Sequence, residues 1–93
     1  MIEFDWDPAK AVSNLREHRV SFEEAAIAYG DPFAVEWIDT REAYGEERVI
    51  LLGQGGGRVL TVVYTERGDL IRIISARRAS KHEQIQYYRQ NAP

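Results

Sequence analysis

There is no cysteine among the 93 residues. Disulfide scaffolds, thiol nucleophiles, thiolate zinc sites and iron–sulfur clusters are therefore excluded, and nothing calls for an oxidising compartment. Only two histidines are present, His18 and His82, and neither has further donors at ligand spacing. The patterns H-E-x-x-H and G-x-x-x-x-G-K-[ST] do not occur, so no metal and no other cofactor is expected. Apolar runs reach only the length of a strand, too short for a membrane span. The first ten residues carry three acids in place of an apolar signal core, and the expected location is the cytoplasm.

What is present is globular in character: 44% apolar residues, 29% charged residues and ten aromatics. The length predicts one domain over residues 1–93 with a small core, so a functional site should be a surface groove.

The net charge of −3 conceals an asymmetry. Residues 1–47 hold twelve acids and four bases, whereas residues 48–93 hold eight bases and three acids. Either the halves neutralise each other across the fold, or the basic half meets a polyanion or an acidic partner. Ten of the twelve bases are arginine, whose planar fork binds phosphate or carboxylate through paired donors, and this favours phosphate recognition.

Alternation of Ile2, Phe4 and Trp6 with acids predicts a first strand. Asp7-Pro8 reads as a helix start, with helix 1 over 8–18 and a thin stripe of Ala11, Val12 and Leu15. Ser21 and Glu24 form a capping box for helix 2, whose Phe22, Ala25, Ala26 and Tyr29 share one face before Gly30-Asp31-Pro32 ends it. Strands are predicted over 33–38, 48–53, 58–65 and 70–76, with an acidic loop over 39–47 and glycine turns implying antiparallel hairpins. Ser80 and Glu83 repeat the capping box, opening a helix with Ile85, Tyr88 and Ala92 on one face. The order β-α-α-β-β-β-β-α predicts an α+β fold: an antiparallel sheet with helices packed on one side.

Gln54-Gly55-Gly56-Gly57 joins two strands with no helix after it, so it is a turn and not a phosphate cradle. Two of the four serines serve as caps, which leaves little for a serine triad. The constellation with chemical weight is Tyr64, Arg67, Arg72, Arg77 and Arg78, with Arg48 beginning a neighbouring strand. Arg72 lies inside a strand and needs water, a carboxylate or a ligand. Arg77-Arg78 precede a helix N-terminus that is already partly positive, an arrangement that makes sense with an anion bound there. The expectation is that these guanidinium groups converge on one solvent-reachable spot without permanent counter-ions.

These residues resemble the BrnT-type toxins of type II toxin-antitoxin pairs. The resemblance runs through Phe4-Asp5-Trp6-Asp7-Pro8-Ala9-Lys10, Asn14-Leu15, His18 and Val20-Ser21-Phe22-Glu23-Glu24-Ala25. It continues through Tyr44-Gly45-Glu46-Glu47-Arg48 and Val63-Tyr64-Thr65-Glu66-Arg67-Gly68 to Ile71-Arg72-Ile73-Ile74-Ser75-Ala76-Arg77-Arg78-Ala79. One departure stands out: the family usually has Lys-His-Gly before the second helix, and this chain has Glu17-His18-Arg19.

The resemblance implies a RelE-like fold, metal-independent RNA cleavage, and neutralisation by a cognate antitoxin encoded by an adjacent gene, in a toxin–antitoxin hetero-oligomer. It implies His18, Arg48, Arg67, Arg77 and Arg78 as catalytic positions, with Lys10 and Tyr64 contacting RNA. Arg72 and Lys81 are further expected RNA contacts on the basic half. His18, followed by Tyr64, is the expected proton-transfer group, since histidine suits that role near neutral pH. The expected chemistry is attack of a 2'-hydroxyl on the adjacent phosphorus, with fixed arginine donors stabilising the phosphoryl oxygens. The alternative is a catalytically weak or inactive interaction module that docks an acidic partner on its arginine-rich face.

Overall fold

The computed structural model describes residues 2–93. Its elements are β1 (Glu3–Asp5), α1 (Pro8–His18), α2 (Phe22–Tyr29), β2 (Val35–Ile38), β3 (Val49–Gly55), β4 (Arg58–Arg67), β5 (Leu70–Arg78) and α3 (Lys81–Gln90). This is the expected α+β order. The five strands form one sheet in the order β1-β5-β4-β3-β2.

Local chemistry sets the helix boundaries. The Asp7 carboxylate accepts from the Ala9 N–H at 2.9 Å, and Pro8 starts α1 at the position that needs no donor. Both capping boxes form, Ser21 with Glu24 and Ser80 with Glu83. Helix α1 closes on Arg19, which takes a left-handed φ of 57°, a conformation that glycine enters without a Cβ penalty. The turn between β3 and β4 is Gly56-Gly57, with φ values of +66° and +83° that suit a two-residue hairpin loop. Strand β2 starts later than the sequence pattern suggests, because Asp31 holds a turn, accepting from the Phe33 N–H on its carboxylate and from the Ala34 N–H on its carbonyl.

Two expectations are corrected. The sheet is mixed: β2 to β5 pair antiparallel, but β1 lies parallel to β5, Glu3 beside Leu70 and Asp5 beside Arg72. No hairpin links these two strands, so no turn constrains their relative direction. The helices also divide between the two faces. Val20, Phe22, Ala25 and Ala28 pack with Leu51, Leu60, Val62, Tyr64, Ile71 and Ile73 on the first face, under α1 and α2. Leu52, Val59, Ala79 and Tyr87 form a second cluster on the opposite face, where α3 lies. The Ala79 N–H donates to the Val59 carbonyl at 3.0 Å and turns the chain back over that face.

The apolar stripes of α1 and α3 differ from expectation as well. In α3 the buried residue is Tyr87, whose hydroxyl donates to Asp31, while Ile85 and Tyr88 remain exposed. In α1 the buried residue is polar Asn14, and Val12 and Leu15 face solvent. Among the described residues no helix is long and apolar enough to cross a membrane.

Candidate functional site

The second face of the sheet is only partly covered. Strand register places Trp37, Ile50, Val63 and Ser75 side by side across β2, β3, β4 and β5. On the α3 side of this row lie Leu52, Thr61 and Arg77; on its other side lie Thr65 and Arg72. Because side chains alternate along a strand, Arg48 and Arg67 share this face with Ile50 and Thr65. A groove of about 280 Å³ opens along the row, with Ile50 and Val63 as its floor. Trp37 and Arg41 border it on one side, and Thr61, Ser75, Arg77 and Glu83 on the other.

The wall formed by Arg77 and Glu83 is a two-pronged ion pair, with nitrogen–oxygen distances of 2.8 and 3.0 Å. The same carboxylate accepts from the Ser80 N–H at 2.8 Å and from the Thr61 hydroxyl at 3.0 Å. The Arg77 hydrogen bonds, outweighing burial, hold the Glu83 pKa down at about 2. Here is the anion that the Arg77-Arg78 pair calls for beside a helix N-terminus: it belongs to the chain itself. Arg77 remains 44% exposed along its side chain, so the pair is open to competition from solvent. Across the groove, Arg41 is fixed by a buried Asp39, at 2.8 and 2.7 Å, with the Tyr44 hydroxyl on the same carboxylate at 3.2 Å. The guanidinium hydrogen bonds keep Asp39 far below the usual carboxylate range.

The other predicted arginines are distributed along the face and do not form one counter-ion-free cluster. Arg48 and Arg67 are brought together by Glu46, at 3.7 and 3.5 Å, and Arg48 stacks over the Tyr44 ring at 4.1 Å. The buried Nε of Arg48 has no hydrogen-bond partner among the described residues. Arg72 pairs with Asp5 at 2.6 Å, the register neighbour that β1 supplies. Arg78 lies opposite Leu60 and by alternation points to the first-face side, exposed; Lys81 opens α3, also exposed. Among the described residues no three His, Asp or Glu side chains are grouped closely enough to hold a metal ion.

Residues 6–83 match the family model described as ribonuclease toxin, BrnT, of type II toxin-antitoxin system. The chain belongs to the BrnT family. Its members are ribonuclease toxins, for which RNA targets and a cognate antitoxin follow. The matched span includes both walls of the groove and every strand of its floor. No match is found among curated proteins.

Besides Arg78, three of the BrnT positions named from the sequence lie on the first-face side, away from the groove. Lys10 and His18 belong to α1, on the first-face side; His18 has the Glu17 carboxylate 3.8 Å from its Nε2. Tyr64 is buried in the first-face core, edge-on to Tyr29, and its hydroxyl donates to Glu36 at 2.7 Å. Burial, then the Glu36 carboxylate, raises its pKa well beyond the ordinary tyrosine value. Conversely, no motif in this BrnT-family chain marks Trp37, Arg41, Thr61, Ser75 or Glu83 as part of a site. In the sequence Glu83 carries only the signature of a helix cap, and the alternation of Val35 and Trp37 against Glu36 is the one sign that Trp37 faces away from α2.

Proposed function

We propose that this chain is the toxin of a type II pair and a metal-independent endoribonuclease, with the groove beside Arg77 and Glu83 as its reaction site. The observation that carries this reading is the Arg77–Glu83 pair, its guanidinium partly exposed, at the wall of a groove whose face also bears Arg48, Arg67 and Arg72. An RNA phosphate competes with Glu83 for the Arg77 fork, since both are oxyanions of matching geometry. Once the guanidinium turns to phosphate, Glu83 loses the main influence depressing its pKa and becomes a usable proton acceptor.

Glu83 then takes the proton of the 2'-hydroxyl. The 2'-oxygen bonds to phosphorus, the bond to the 5'-oxygen breaks, and that oxygen takes a proton from water. The products are a cyclic phosphate and a free 5'-hydroxyl. Arg77 stabilises the charge growing on the phosphoryl oxygens, and Lys81, exposed at the start of α3, attracts the flanking backbone. Proton acceptance is assigned to Glu83 in place of His18 or Tyr64 because it lies within the groove.

A cognate antitoxin encoded beside the gene neutralises this activity by occupying the same face. The test is cleavage of a single-stranded RNA by the purified protein in EDTA, with Arg77→Ala as the negative control. Activity that persists in EDTA and is lost in the variant supports the reading. Intact RNA together with tight binding of the neighbouring gene's product would instead favour the interaction-module alternative.

A further inference from the structure

Resting on the ribonuclease reading above, we infer that Trp37 is a stacking platform for one unpaired base of the RNA, seated across the groove from the phosphate held by Arg77. Trp37 packs along one side against the cluster of Leu52, Val59, Ala79 and Tyr87, and along the other it borders the groove. A half-buried indole supported in this way offers a flat apolar surface at little further entropic cost. Between it and Arg77 the floor is apolar, Ile50 and Val63, and both are at least nine-tenths buried.

The spacing suits a nucleotide. Trp37 and Arg77 stand three strands apart and two residues out of line, roughly 16 Å between backbones, and both line the groove. Cations stand at either end, Arg41 beside Trp37 and Arg77 opposite, which matches a base flanked by backbone phosphates. Arg41 is held in place by Asp39 through its Nε and one terminal nitrogen, which leaves its other terminal nitrogen for a phosphate. An A-form duplex cannot enter, because its bases are already stacked and its deep groove is too narrow for side chains; the occupant is therefore single-stranded RNA.

The experiment follows the intrinsic fluorescence of the full chain. Trp6 and Trp37 are its two tryptophans, and Trp6 packs edge-on to Phe22 on the first face, 5.8 Å between centroids, away from the groove. Single-stranded oligoribonucleotide should quench emission of the unaltered protein, while the same strand in a duplex should not. Trp37→Phe, which keeps an aromatic ring, should remove the quenching and keep binding within about threefold. Trp37→Ala should weaken binding by about tenfold to a hundredfold.

A series of oligonucleotides with one abasic position moved along the strand separates stacking from a structural role. At the position seated on Trp37, the loss in Trp37→Ala should disappear, because no base remains to stack. Equal loss at every abasic position, or undiminished binding by Trp37→Ala, would overturn the inference while cleavage by the unaltered protein still upheld the ribonuclease reading. Failure of the unaltered protein both to bind and to cleave RNA would remove that reading and this inference with it.

Discussion

The side chain of Asn14 bonds the backbone of Ala76 at both ends, donating to its carbonyl at 2.7 Å and accepting from its N–H at 3.1 Å. Strand β1 pairs with β5 only over Leu70–Arg72, so farther along β5 the outer edge has no strand partner among the described residues. Asn14, buried within α1, takes the place of that missing partner and also donates to the Val20 carbonyl at 3.0 Å. One amide thus ties helix to sheet one residue before Arg77. Asn14→Ala should destabilise the fold by roughly 3 kcal/mol, since buried backbone groups would be left unpaired at about 1–3 kcal/mol each. Urea unfolding measures this, and a change below about 1 kcal/mol would show that water takes over the role.

Arg77→Lys separates charge from geometry. Lysine preserves the cation but not the fork that meets Glu83 through two nitrogens. On the proposed mechanism, kcat should fall about 100-fold to 1,000-fold, the usual loss for one donor to a developing oxyanion. RNA affinity at low salt should change far less. Single-turnover cleavage beside filter binding gives both numbers from one preparation.

Much of this arrangement was legible in the sequence, and the exceptions share a cause. Asp7-Pro8, the two Ser-x-x-Glu boxes and the glycine turns act over a few residues, and each produced the element expected of it. What depended on distant partners was hidden. Nothing near β1 specifies that it runs parallel to the last strand, and Asn14 counts as a helix-surface residue until Ala76 is placed beside it. Tyr87 outcompetes Ile85 and Tyr88 for burial because its hydroxyl finds Asp31, a pairing 56 residues apart. The arginines were identifiable as a group; their individual carboxylate partners were not, since Asp5, Glu46 and Glu83 come from three different parts of the chain.

Acid should weaken the fold in a definite window. Glu83 has a folded pKa of about 2 against an ordinary 4.5, so its contribution is fully present above pH 4.5 and is lost as pH falls toward 2. For this largely covered carboxylate the contribution is roughly 2–3 kcal/mol. Asp31 and Glu24 are also depressed, by hydrogen bonds from Tyr87 and the Gln54 and Phe33 N–H groups in the first and from Ser21 and Arg58 in the second, and they act in the same direction. Glu83→Gln keeps the capping geometry and should flatten the decline between pH 4.5 and 2. An unchanged slope in urea titrations would assign the acid sensitivity to the other carboxylates.

Arg19→Gly should stabilise the protein. The left-handed φ of 57° costs a residue with a Cβ about 1–2 kcal/mol, whereas glycine in the unfolded chain carries an entropy penalty of about 0.4–1 kcal/mol. The difference favours glycine by roughly 0.5–1 kcal/mol. The Arg58 guanidinium that approaches this corner donates to the Arg19 carbonyl, at 2.6 Å, and survives the substitution. Thermal unfolding decides the matter, and a lower Tm in the glycine variant would mean that the Arg19 side chain contributes contacts outweighing the strain.

Arg48 and Arg67 share one carboxylate, Glu46, at distances that leave both cations incompletely neutralised. If RNA crosses the whole open face, Arg67→Ala should lower the salt dependence of binding by about 0.7 in log–log slope, the value for one phosphate contact on a single strand. Glu46→Gln should do the reverse, strengthening binding at low salt by releasing two guanidinium groups. Neither change threatens the fold, because partly exposed pairs of this kind contribute only about 0–1 kcal/mol. Binding isotherms at several salt concentrations distinguish the cases: slopes unaltered by both substitutions would confine the RNA to the groove between Trp37 and Arg77, with the Glu46 end of the face left to another partner.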